Sequence, residues 1–263
     1  MATIFQYFNN ILKYRKLIFI LILIFSTVFT FSSILAFSLY FGGGGEIPED
    51  TFTRGLVAYW SFDEGEGTTA YDASGNGNNG TIYGAKWIRG KSGNALSFDG
   101  IDDYVDVGSI SLGSVFSFEW WMKFENKRMG IFDGGYYRGI QVWGFGNLRI
   151  RISQDGSDIC NVDYDITDYT QWYHFVVVRD GGDISVYVNG IKKGGCSGLS
   201  TATWDLAYIG YDDNEAGYFH GLIDEVRIYN RALSEEEIRF HYNRGAPVLY
   251  LKFDEGEGKI AYD

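Results

Sequence analysis

Between Asp72 and Gly80 the chain reads Asp-Ala-Ser-Gly-Asn-Gly-Asn-Asn-Gly, which places oxygen-bearing side chains at Asp72, Ser74, Asn76 and Asn78, every second residue around a glycine turn. That spacing is the first half of an EF-hand loop and suits a hard divalent cation such as calcium. The second half is missing, because Tyr83 stands where such a loop needs its bidentate glutamate. An ion held here needs a further ligand from elsewhere. Asp224, inside the alternating run Leu222–Tyr229, is the best candidate, because on that pattern it shares a face with Leu222, Val226 and Ile228 and an unpaired buried charge is costly. The expected metal set is Asp72, Ser74, Asn76, Asn79 and Asp224, holding a structural calcium that pins the two ends of the domain together. The competing reading is a plain turn, since Asn and Gly tolerate positive φ. Asn79-Gly80-Thr81 is also a glycosylation sequon.

A sugar site needs an aromatic platform beside amide and carboxylate groups. Tyr136, Tyr137 and Trp143, flanked by glycines that would hold them exposed, are the candidates, although aromatic cross-strand pairs in an ordinary hairpin explain them as well. The acidic runs Asp155–Asp158 and Asp212-Asp213-Asn214-Glu215 read as solvated loop tips. Catalysis finds little support. Asp224 and Glu225 are adjacent, so on a regular strand they point to opposite faces and cannot work as a pair. Nucleophile-elbow, zinc-protease and phosphate-loop motifs are all absent.

Cys160 and Cys196 are the only cysteines, and a bond between them would close a 36-residue loop worth about 3–4 kcal/mol in the chain-entropy model. The spacing permits this pairing without requiring it. His174, His220 and His241 are scattered, which excludes a Cys/His metal motif.

The elements that must position these residues are strands. The chain has 263 residues, 18% aromatic, with 35 glycines and two prolines, a composition of many short strands joined by tight turns. Phe116, Phe118, Trp120, Met122 and Phe124 alternate onto one face, as do Leu148, Ile150 and Ile152. Trp172–Val178 reads as a central strand, and Ile184–Val188 ends at Asn189-Gly190, a strong hairpin signal. Ser234-Glu235-Glu236-Glu237 is a capping box that opens one short helix, closed by Gly245 and Pro247.

The formal charge of −12 argues against a nucleic-acid partner, which would need a basic face. Residues 17–41 carry no charge and as a helix would extend ~37 Å, enough to cross a bilayer core of ~30 Å with some tilt. Lys13, Arg15 and Lys16 precede them, so residues 1–16 are expected in the cytoplasm and everything after residue 41 outside, a single-pass arrangement at the cell membrane. A cleaved signal peptide is the alternative, against which stand an apolar run longer than the usual ~7–15 residues and the lack of a small-x-small cleavage site at Ser33–Ser38; residues 42–54 read as a polar linker. Val57–Asp72 and Val248–Asp263 match at eleven of sixteen positions with a constant offset of 191 residues. The expected organisation is therefore one complete domain at 55–246 and, from 247 to 263, the start of a second copy.

The run from Leu56 to Asn243 then spells a pattern. Tyr59-Trp60-Ser61-Phe62-Asp63-Glu64-Gly65, the Asp72–Gly80 loop, Gly93–Gly100 with Asp102-Asp103-Tyr104-Val105, Trp172-Tyr173-His174, Tyr187–Gly190 and Gly221–Ser234 follow one another in order. Together they resemble the concanavalin A-like, laminin-G-like jelly-roll domains of bacterial and archaeal surface proteins. The resemblance implies an all-β, two-sheet antiparallel jelly-roll sandwich, often with a structural calcium, and binding more often than catalysis. Laminarinase-type glycosidases of this fold carry an E-x-D-x-x-E strand; around Asp224 the first Glu is absent and Arg227 stands in place of the second. The expected protein is a membrane-anchored extracytoplasmic adhesion or binding protein, not an enzyme, whose partner is a glycan or a surface protein. A structural spacer, or an accessory domain of a glycosidase lying beyond residue 263, is the alternative.

Overall fold

A computed structural model of the chain describes residues 50–124, 128–134, 139–144, 148–154, 157–166, 168–201, 203–212 and 217–245. Two antiparallel sheets face each other. Sheet A runs in the order β14 (Ile191–Cys196), β13 (Asp183–Val188), β12 (Tyr173–Asp180), β7 (Val115–Phe124), β16 (His220–Tyr229), β5 (Asn94–Asp99) and β4 (Lys86–Arg89), with β1 (Leu56–Trp60) pairing the far half of β16. Sheet B runs β11 (Ser157–Tyr164), β10 (Leu148–Gln154), β9 (Gly139–Gly144), β8 (Arg128–Asp133), β15 (Trp204–Ile209), β6 (Tyr104–Leu112), β3 (Gly80–Tyr83) and β2 (Thr69–Ala70). The two-sheet sandwich agrees with the expected class. The expected membrane helix at 17–41 and the repeat beginning at 247 lie outside the described residues, and no helix among the described residues is long and apolar enough to cross a membrane.

The core forms where the apolar faces of the two sheets meet. Phe116, Phe118, Trp120, Met122 and Phe124 all point inward from β7 and are buried, as their alternation predicts. Across the layer Phe118 and Trp120 meet Phe132 of β8 at ring centroids 5.1 and 5.0 Å, while Phe116 stacks on Trp204 of β15 at 5.5 Å. Aromatic rings bring large buried areas and prefer these offset and edge-on geometries. Asn189 and Gly190 take the left-handed backbone (φ 51° and 74°) that the β13–β14 hairpin requires.

A second apolar cluster lies on the outer side of sheet A, under the helix α1 (Glu235–Gly245). Val176, Tyr187 and Tyr229 of the sheet pack there against Leu233 and Ile238. The capping box forms as expected: the Glu237 amide donates to Ser234 Oγ, and the Ser234 amide donates back to Glu237 Oε2. Residues 50–54, expected in the linker, belong to the folded unit instead. Thr51 is buried and donates to Glu237 Oε1, Arg54 pairs with the same carboxylate at 2.9 Å, and Phe52 stacks on His241 at 4.2 Å. For residues 50–54 polarity alone did not show that Glu237 takes those partners, and the rest of the expected linker, 42–49, lies outside the described residues.

Glu119 of β7 fastens α1 to the sheet. Its two carboxylate oxygens take hydrogen bonds from His174 Nε2 of β12 at 2.9 Å and His241 Nδ1 of α1 at 2.8 Å, with all three side chains buried. Burial pushes this carboxyl up, but the charge of His241 and the bonds from both imidazoles outweigh it and hold it well below the usual carboxylate range.

Cys160 in β11 and Cys196 in β14 are bonded. These strands are the ends of sheet B and sheet A, so the disulfide staples the two layers along one side of the sandwich. Gly194 permits the approach, since a Cβ there would sit 3.0 Å from Val162.

Reducing this bond is expected to lower the unfolding free energy by about 3–4 kcal/mol, the loop-closure value for 36 residues, read from chemical denaturation with and without a strong reductant. Glu119→Gln is expected to cost about 3–5 kcal/mol at neutral pH, because it unpairs a buried charge network. The folded carboxyl lies below its unfolded value of ~4.3, so its stabilisation is full above that pH and fades as pH falls through the folded value. The gap between wild type and variant should therefore narrow below about pH 4 in denaturation curves; a constant gap would count against the assignment.

Candidate functional site

The Asp72 loop is held to β1 by hydrogen bonds. Asp72 Oδ1 accepts from the amides of Tyr59 and Ser74, Oδ2 accepts from the Asn78 amide, and the Asp72 amide donates to Asn79 Oδ1. Asn76 and Asn78 donate their side-chain amides to the Val57 carbonyl, and Ser74 Oγ donates to it as well. Burial pushes the Asp72 carboxyl up, but these donors prevail and lower it, as expected of a carboxylate saturated with N–H groups. Asp72, Ser74, Asn76 and Asn79 thus come together, bonded within the loop and to β1.

Asp224 is buried as expected, but not on the face expected. A bulge between Asp224 and Arg227, with Glu225 at φ 54°, breaks the alternation of β16. Ile223, Val226 and Ile228 enter the main core, while Asp224 pairs with Trp121 and turns to the outer side of sheet A. There Oδ2 accepts the amides of Lys91 and Ser92 from the β4–β5 turn, and Oδ1 is buried without a hydrogen-bond partner. Gly90 makes the fit possible, since a Cβ on it would lie 2.6 Å from Asp224 Oδ2. Burial, with Glu225 adding its charge, pushes the carboxyl up to about 7 against those two amide bonds. Asp224 and the Asp72 loop therefore bond to different parts of the chain. Glu225 accepts from the Tyr59 hydroxyl and pairs with Arg227.

The outer face of sheet B holds the aromatic and amide chemistry. Val105, Val107, Leu206 and Ile209 enter the core, which leaves Tyr104, Asp106 and Tyr208 outward; in register beside them stand Thr81 and Tyr83 of β3. Tyr83, 45% exposed, stacks on half-buried Tyr104 at 4.7 Å and 15° between planes. Tyr208 meets Tyr104 edge-on at 5.7 Å, and the loop after β15 adds Tyr211 and Tyr218, 4.8 Å apart. Burial, then Tyr83 and Asp106, push the Tyr104 hydroxyl up, so it stays a neutral donor near pH 7.

A polar row continues from these rings. Asp212, expected in a solvated tip, is buried, and its Oδ2 accepts from Gln141 Nε2 of β9 at 2.8 Å. Arg151 of β10 reaches Gln141 Oε1 at 3.4 Å. The loop lies close enough for this because β8 and β9 carry glycine beneath it: a Cβ at Gly130 would sit 2.3 Å from Asp212 Cβ, and one at Gly139 2.2 Å from Asp212 Oδ2. The Gly210 amide to Ile131 and the Gly130 amide to Gly217 fix the loop to β8.

Of the residues expected to bind a sugar, Tyr136 and Tyr137 fall outside the described residues. The backbone of Trp143 runs in β9 opposite Arg149. The five-tyrosine cluster was not singled out from sequence, because its members come from four separate segments. The period-two reading of β6, which points Tyr104 outward beside Asp106, was the available signal.

Comparison with solved structures finds the same fold. Domain 4 of an extracellular arabinanase from Geobacillus stearothermophilus, determined with arabinotriose, aligns with a TM-score of 0.56 at 24% identity, over 70% of this chain and 97% of that one. The binding domain of Paraclostridial Mosquitocidal Protein 1 aligns at 0.56 and 18% identity, over 75% and 56%. The binding domain of botulinum neurotoxin serotype D aligns at 0.57 and 15%, over 72% and 52%, so the chain spans about half the length of these toxin domains. A comparison with curated proteins gives no match. A family model described as the concanavalin A-like lectin/glucanases superfamily matches residues 99–239. With that match covering more than half of its length, the chain belongs to the concanavalin A-like lectin/glucanase superfamily.

Proposed function

We propose that the chain is a carbohydrate-binding module, anchored in the membrane by residues 17–41 and working outside the cell as an adhesion or attachment protein. The observation that carries this reading is the outer face of sheet B, where the rings of Tyr83, Tyr104 and Tyr208 stand in register beside the carboxylate of Asp106 and the hydroxyl of Thr81. Sugar rings present C–H faces that stack on aromatics and hydroxyls that need both donors and acceptors, and this face supplies both. Support also comes from the arabinanase domain of the same fold, which was determined with arabinotriose, and from the toxin binding domains. Glu225, tied to Tyr59 and Arg227, and Asp224, enclosed under its turn, argue for binding over hydrolysis. The apolar run and its basic flank support the anchor.

A structural calcium belongs to the same reading, and Asp224 is the expected ligand that keeps an oxygen without a hydrogen bond. A buried carboxylate oxygen without a hydrogen-bond partner, in a group pushed up to about 7, is a site that a cation would relieve. The Asp72 loop would then act as the clamp on β1, its oxygens already engaged by N–H donors.

A glycan array probed with the full chain should show binding, and Tyr104→Ala should reduce it at least about tenfold, the effect of ~1.4 kcal/mol. Absence of binding to every glycan would favour the structural-spacer reading. For the ion, the sign follows from the raised carboxyl. Asp224 favours the fold as a neutral acid, and its cost grows as pH rises from ~3.9 to its folded value. In chelator the wild type should therefore lose stability relative to Asp224→Asn between about pH 4 and 7. Calcium should restore it and leave the variant unmoved. A wild-type melting temperature indifferent to calcium at pH 7.5 would remove the ion from this reading.

A further inference from the structure

Asn79-Gly80-Thr81 is the one Asn-x-Ser/Thr triplet in the 263 residues, and the reading given above makes no use of it. The fold accounts for its middle residue. Gly80 is buried at the start of β3, where a Cβ would sit 2.6 Å from Val105 Cγ1 of β6, so close packing of the two strands requires glycine there. Asn79 and Thr81, on either side of it, are exposed.

The side-chain amide of Asn79 is held in one orientation. The Asp72 amide N–H approaches it at 2.8 Å, and because a backbone N–H can only donate, Oδ1 must face it and Nδ2 must turn the other way. Among the described residues neither that nitrogen nor the Thr81 hydroxyl has a hydrogen-bond partner. The other two asparagines of the loop are different. Asn78 Nδ2 donates to the Val57 carbonyl at 2.9 Å, and Asn76 Nδ2 donates to the carbonyls of Leu56 and Val57 at 3.0 Å each. A substituent on either of those nitrogens would crowd the bonds that tie the loop to β1. On Asn79 it would stand in solvent.

We propose that Asn79 is a glycosylation site, which takes an oligosaccharide from a polyprenyl-diphosphate donor in the hands of an oligosaccharyltransferase. Nδ2 bonds to C1 of the first sugar as the bond from C1 to the phosphate oxygen breaks. The lipid diphosphate leaves with that bonding pair, and one amide proton passes to a base of the transferase. The product keeps its carbonyl and one N–H, so the bond from the Asp72 amide survives the modification. The site rests on the extracytoplasmic placement proposed above, because the sugar donor is presented on that side of the membrane.

The test translates the full chain in the presence of microsomes that hold an oligosaccharyltransferase and its lipid-linked donor. The wild type should gain the mass of one oligosaccharide, removable by an endoglycosidase and located on Asn79 by peptide mass spectrometry. Thr81→Val, which keeps a β-branched side chain on β3 and loses the hydroxyl, should gain none, and Thr81→Ser should keep the modification. Ser109→Asn in the Thr81→Val background completes a separate acceptor triplet with Ile110 and Ser111, at exposed positions 109 and 111 of β6, and reports whether the domain reaches the glycosylating side. An unmodified wild type beside a modified Ser109→Asn chain would overturn the Asn79 site and leave the placement standing. Absence of sugar from both would overturn the extracytoplasmic placement and the site with it. The glycosylated chain, once purified, should melt within about 2 °C of Thr81→Val, the shift of a sub-kilocalorie change in a domain of this size. A larger loss would overturn the assignment of Nδ2 to solvent.

Discussion

A two-sheet sandwich buries one face of each sheet against the other and leaves two further faces to be covered, solvated or used. In this chain that constraint decides the rest. The inner faces are filled by alternate residues of nearly every strand, rich in rings such as Phe118, Trp120 and Phe132. The outer face of sheet A is covered by α1 and the segment at 50–54, so it acquires a second apolar cluster and a set of enclosed charges. The outer face of sheet B carries tyrosines and polar groups.

Covering sheet A leaves charges in a medium where an unpartnered one is expensive. Glu119 meets this with two imidazoles, Glu237 with Arg54, Arg231 and Thr51, and Arg227 with Glu225 and the ring of Tyr59 at 4.1 Å. Asp224 is handled less completely. Two backbone amides serve one oxygen and no hydrogen bond serves the other, which is why its carboxyl is raised while those of Glu119 and Glu237 are lowered. The three acids show one rule with opposite outcomes: partners decide the sign once burial has set the cost.

The fold was legible in the sequence wherever a short-range pattern carried it. Period two placed β7 and β10, Asn189-Gly190 placed a hairpin, and Ser234 with Glu237 placed the start of α1. The resemblance supplied the two-sheet class. Long-range meetings were not legible. Asp224 was read as facing the core because alternation cannot announce a bulge, and Glu225 is not a residue type that advertises a left-handed φ. Asp212 was read as a loop tip because the glycines that admit it, Gly130 and Gly139, lie more than seventy residues earlier. The tyrosine platform escaped for the same reason, since proximity of Tyr83, Tyr104 and Tyr208 exists only after β3, β6 and β15 pair.

The docking of residues 50–54 on α1 fixes where the polypeptide joins and leaves its domain. Phe52 rests on His241, and one residue on, Tyr242 stacks against Trp121 of β7, so both ends of the folded unit lie on the outer side of sheet A. The tyrosine surface lies on the opposite side of the sandwich. The first and last residues of the described unit therefore lie away from the tyrosine face. The two outer faces are thus specified independently, that of sheet A by what covers it and that of sheet B by the alternation that sends Val105, Val107, Leu206 and Ile209 inward.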